Sequence, residues 1–114
     1  MKIIEKNITT DELKEMSQKM FGNLVKAVVD IEKGIMAVDA ELHSDEEALL
    51  LENGSKQENL WGINIYPEFF GQEDFIEFDS MINLRPSQNN QSRGVDDPKI
   101  REKILSITSK LISK

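Results

Sequence analysis

The sequence predicts an α+β protein built in two layers: a four-stranded, mainly antiparallel sheet carrying two long helices on one face, with a short helix between strands 2 and 3. Three observations predict it. Segments 9–21 and 97–114 repeat apolar residues at helical spacing, while residues 24–42 switch to a period of two. Two more apolar runs, 61–66 and 75–84, are each closed by a proline or an Arg-Pro pair, as strands often are.

In chain order, residues 2–8 read as a short edge strand or an arm. The first helix spans 9–21, with Leu13, Met16, Met20 and Phe21 on one side. Thr9 and Glu12 make a capping box at its start, Ile8 and Leu13 a hydrophobic staple, and Gly22-Asn23 its stop. Residues 25–32 and 35–42 form a hairpin across Lys33-Gly34, since a two-residue turn containing glycine matches strand twist. Ser44 and Glu47 suggest a second capping box, opening a helix over 44–52, with Asp45 and Glu46 near its positive end. Asp97 as N-cap and Pro98 at the first helical position open the last helix, striped by Ile100, Ile104, Ile107 and Leu111.

Composition narrows the function classes. With 114 residues the chain fits one domain, 1–114, large enough to bury a self-sufficient core. It has no cysteine, which removes disulfides, thiolate nucleophiles and thiolate metal sites. No apolar run reaches the ~18 residues of a membrane span, and no apolar signal segment follows Met1, so a cytoplasmic location is expected. A formal charge of -7 speaks against nucleic-acid binding, which needs a clustered basic surface.

Three regions hold candidate chemistry. Asp30, Asp39, Glu41, Asn64, Glu77, Asp79 and Asn83 fall in the more polar alternation classes of their strands. Of these, Asp39, Glu41 and Asp79 are candidate ligands for Mg²⁺, Mn²⁺ or Ca²⁺, which prefer oxygen donors. That polar face also contains Val28, Ile35, Ala37 and Met81, whose need for cover suggests a homodimer. His43, the only histidine, stands at a strand-to-helix junction among acids and is a candidate general base or metal ligand, with Asp45, Glu46 or Glu47 as partner. A capped helix start explains the same acids, and a single histidine matches no zinc signature. Residues 85–94 have no apolar side chain except Pro86. There Arg85 and Arg93, with Ser87, Gln88, Asn89 and Asn90, can surround a carboxylate or phosphate, although a loop held by its own amides has the same composition. Trp61 reads as core or a subunit contact, with its indole N–H bonded at an edge.

The strings 24–47, Gly54-Ser55-Lys56-Gln57, 60–67 and 82–88 resemble a small prokaryotic family of unknown function, DUF5674. The resemblance spans nearly the whole chain and implies no catalytic residues. The residues themselves favour a protein binding a small anion or a protein partner through the 85–94 loop. One alternative is a divalent-metal-dependent hydrolase using the sheet carboxylates and His43. Another is a structural or accessory subunit of a complex, which would show a broad apolar patch in place of a concave site.

Overall fold

The computed structural model describes residues 1–114. Its elements are β1 (Lys2–Ile4), β2 (Ile8–Thr9), α1 (Thr10–Lys19), β3 (Val25–Asp30), β4 (Ile35–Val38), α2 (His43–Glu52), β5 (Leu60–Ile65), β6 (Ile76–Glu77), α3 (Pro98–Leu111) and β7 (Ile112–Ser113). Helix α1 starts where local chemistry dictates. The Thr9 hydroxyl accepts from the Glu12 N–H at 3.2 Å, and the Glu12 carboxylate accepts from the Thr9 N–H at 3.2 Å. Ile8 and Leu13, on either side of that cap, are both fully buried. The helix ends where Gly22 adopts a φ of +89° and donates to the Ser17 carbonyl at 2.6 Å. Asp97 caps α3 by accepting from the Lys99 N–H at 2.9 Å.

The main sheet has the order β1-β4-β3-β5-β6, with every neighbouring pair antiparallel. A separate parallel pair, β2 with β7, ties the entry of α1 to the exit of α3. On one sheet face Val25, Ala27, Val29, Met36, Val38, Trp61, Ile63 and Ile65 join Leu13 and Met16 of α1 and Ile104 and Leu111 of α3 in the larger core. On the other face Val28, Ala37 and Leu60 pack against Leu50 of α2, with Ile3, Ile35 and Ile82 at the margin.

This corrects the expected four-stranded, two-layer arrangement. The main sheet has five strands because the N-terminal segment pairs with β4, Lys2 opposite Val38 and Ile4 opposite Met36. Three residues are too few for alternation to declare a strand. Helices lie on both faces, because α2 lies across the face expected to be open. Its inward stripe is His43, Glu46 and Leu50, spaced three and four apart. The same helix covers Val28, Ile35 and Ala37, the residues whose exposure suggested a second subunit, while Met81 stays 63% exposed.

Several boundaries also move. The hairpin turn has four residues, Ile31 to Gly34, since Asp30 pairs with Ile35. Its shape is set by the buried Asp30 carboxylate, which accepts from the N–H groups of Glu32 and Lys33, each at 2.9 Å, and from the Ser55 hydroxyl at 2.6 Å. Strand β4 stops at Val38 because Asp39 takes a φ of +70°. Helix α2 begins one residue early, with Leu42 as N-cap and no side-chain cap, so the Ser44/Glu47 box does not form. The expected strand 75–84 shrinks to β6 and is followed by a turn of 3₁₀ helix, Met81–Asn83. No helix is long and apolar enough to cross a membrane.

Candidate functional site

The turn Met81–Asn83 can lie against β5 because residue 62 is glycine. A Cβ there would stand 2.5 Å from the Ser80 side chain. The Asn83 amide completes the contact: its Oδ1 accepts from the Gly62 N–H at 2.8 Å, and its Nδ2 donates to the Gly62 carbonyl at 3.0 Å. That Nδ2 also donates to the Arg93 carbonyl at 2.9 Å, which in turn accepts from the Ser80 N–H at 2.9 Å. One buried asparagine thereby joins β5, the 80–83 turn and the end of the 85–94 loop.

Between this assembly and the N-terminus of α2 lies a cleft of about 330 Å³, walled by Leu42, Met81 and Ile82. Its polar side chains are Lys26, His43, Ser44, Asn64, Asp79, Ser80 and Arg93. Lys26, Asn64 and Glu77 form a row across β3, β5 and β6, each in register with the next. The Asn64 Nδ2 donates to Glu77 Oε1 at 2.8 Å, an oxygen that also accepts from the Tyr66 hydroxyl at 3.0 Å. This orients the Asn64 amide and leaves its buried Oδ1 with no donor. Arg93 donates from Nε to Asp79 at 2.7 Å. The cleft lining therefore carries two cations against one carboxylate, in a chain of net charge -7.

His43 is 8% exposed, and its Nε2 lies 2.8 Å from the Ile63 carbonyl. A carbonyl only accepts, so Nε2 carries the proton, and neutral His43 keeps a lone pair on Nδ1. Burial pulls its pKa below the ordinary value. The Ile63 carbonyl and Asp79 pull the other way, whereas Lys26 and Arg93 reinforce the fall. The first N–H groups of a helix have no partner within it, and no main-chain carbonyl elsewhere accepts from those of His43 or Ser44.

The acids of α2 oppose this field less than their number suggests. Glu46 is fully buried, and burial pushes its pKa up to about 10, against smaller pulls from the Ala40 amide and Lys26. It is therefore neutral at pH 7. Glu47 faces Arg85, where it opposes part of the fall that burial imposes on that guanidinium.

The other candidates are placed differently. Arg85 stacks on Trp61, 4.2 Å from the ring centroid, and donates to the carbonyls of Gln57 and Leu60. The Trp61 N–H is buried without an acceptor, contrary to the edge bond expected for it. Gln88 donates to the Glu58 carbonyl at 3.1 Å, and Asn89 takes the left-handed conformation at φ +60°. Asn90, 2% exposed, donates to the carbonyls of Asn83, Ser92 and Gly94 and accepts from the Asp96 N–H. Ser87 is exposed. The loop 85–94 is thus braced by its own amides, and Arg93 alone of the six named residues lines the cleft.

Asp39 lies 3.7 Å from the N-terminal amine, Glu41 is exposed, and Asp79 pairs with Arg93. No three His, Asp or Glu side chains stand together in a group able to hold a metal ion. Sequence reasoning placed Asn64 on the correct face and singled out His43, but did not count Lys26 among the binding residues. The signal was present, since Lys26 and Asn64 share one alternation class.

Fold and site together define an α+β protein with helices on both faces of a five-stranded antiparallel sheet and a polar cleft at one helix N-terminus. The chain belongs to the DUF5674 family, whose model, described as a protein of unknown function, matches residues 2–111. Neither the curated proteins nor the solved structures contain a match.

Proposed function

We propose that this protein binds a small anionic molecule in the cleft between α2 and the 79–82 segment. The observation that carries the reading is the convergence of Lys26, Arg93 and the open N–H groups at the start of α2 beside a neutral histidine. Backbone donors at a helix N-terminus favour anions, and a guanidinium adds directional hydrogen bonds. The volume is at the low end for ligand sites, which suits a metabolite-sized compound.

Two other hollows are less suited. One of about 350 Å³, edged by Phe70, Phe75, Ile76 and Leu105, has no cation. Another of about 460 Å³ has Lys6, Lys33 and Lys110 around it, but every polar side chain there is exposed, whereas the cleft includes the buried His43 and Asn64. The 85–94 loop contributes to this reading through Arg93, while its other polar groups brace the wall.

The test is thermal unfolding in phosphate, sulfate and small carboxylates at matched ionic strength, on wild type and Lys26→Ala. Specific binding to the native state raises the midpoint saturably. A rise in wild type that is lost in the variant is expected; no rise with any anion contradicts the proposal.

A further inference from the structure

We infer that the preferred ligand carries a hydroxyl beside its anionic group, so that hydroxycarboxylates and hydroxyalkyl phosphates fit the cleft better than bare anions do. This deepens the anion reading and rests on it. Lys26, Arg93 and the α2 N–H groups are all donors and suit the acceptor oxygens of an anion. The cleft also contains an acceptor that a fully ionised anion, whose oxygens only accept, cannot satisfy.

That acceptor is Nδ1 of His43. The ring is nine-tenths buried and held by the Nε2 bond to Ile63, and Nδ1 has no partner within the protein. Flipping the ring would sacrifice the bond to Ile63. An anion that displaces water from this lone pair is repelled by it, whereas a neighbouring hydroxyl donates to it. The charged groups around the ring are Lys26 from β3 and Asp79 and Arg93 from the segments flanking the cleft, with Glu46, protonated, one turn along α2. Burial and both cations keep the ring neutral at pH 7, so the acceptor persists under ordinary conditions.

Two matched pairs test the inference: lactate against propionate, and glycerol 3-phosphate against propyl phosphate, titrated calorimetrically at pH 7.5. Each hydroxylated member is expected to bind about tenfold tighter, one good hydrogen bond's worth. Because the chain has a single histidine, its ring ¹⁵N spectrum needs no assignment. Free protein should show an unprotonated Nδ1, and lactate should shift that signal where propionate does not. Equal affinities within each pair, with equal effects on Nδ1, would overturn the inference and leave anion binding standing. Binding by neither member of either pair, or binding unaffected by Lys26→Ala, would remove the anion reading beneath it.

Discussion

Two polar regions of this molecule invite the same guess and behave in opposite ways. The 85–94 loop is rich in amides and guanidinium groups, yet Asn90 engages three carbonyls and an N–H, and Arg85 is stacked on Trp61 and bonded to the carbonyls of Gln57 and Leu60. The cleft at α2 begins as an unremarkable acidic helix start. There His43 Nδ1, Asn64 Oδ1 and two backbone N–H groups have no partner in the protein. A polar sequence counts hydrogen-bonding groups, whereas binding depends on which of them the fold leaves open.

The largest expected effects lie in the framework. Asn83→Ala removes three bonds from a fully buried amide and leaves the Gly62 N–H and carbonyl without partners. A loss of about 2–4 kcal/mol in chemical denaturation is expected, since each buried group left unpaired costs ~1–3 kcal/mol. A loss under ~0.5 kcal/mol would break the contrast, because it would put these bonds on the level of surface contacts. Gly62→Ala should cost about 1–3 kcal/mol by overpacking against Ser80 and should weaken anion binding as the cleft wall shifts.

Next comes a pH effect on stability. The folded Glu46 pKa is about 10 against an ordinary 4.5, so the native state holds a proton that the unfolded chain releases. This group's contribution is fully present below about pH 4.5 and is lost as pH rises toward 10, at about 1.4 kcal/mol per pH unit. His43 has its shift on the acid side of neutrality and does not disturb the slope between pH 7 and 9. Denaturation of wild type and Glu46→Met across that range should give a flatter profile for the variant and higher stability at pH 9. Parallel profiles would mean that Glu46 is ionised in the folded protein.

The smallest expected change in stability belongs to Arg93→Ala. Its ion pair with Asp79 is roughly half exposed, and such pairs contribute ~0–1 kcal/mol. The same variant should have a marked effect on ligand affinity, which separates the cleft from the framework loop.

How far the sequence announced all this depends on whether the signal was local. Thr9 with Glu12 and Asp97 with Pro98 placed the starts of α1 and α3 correctly, because a cap is decided within one turn. The period of two found β3 and β4 and even the right faces. It left β1 open between an edge strand and an arm, because its three residues are stabilised by β4 and not by their own pattern. It misjudged α2 because two of the three inward residues, His43 and Glu46, are polar, so the buried stripe looked like a capped, solvated first turn. The cleft was out of reach for a related reason. Lys26, His43, Asn64, Asp79 and Arg93 come from five separate segments, and only the strand register and the Gly62 contact bring them to one place.

The most direct test of the account is a phosphate titration of two arginine variants, Arg93→Ala and Arg85→Met, the second keeping the packing of the side-chain stem on Trp61. Arg93→Ala is expected to weaken phosphate binding by about tenfold or more while Arg85→Met stays within about twofold of wild type. The opposite ranking would contradict it, moving the anion site from the cleft back to the loop.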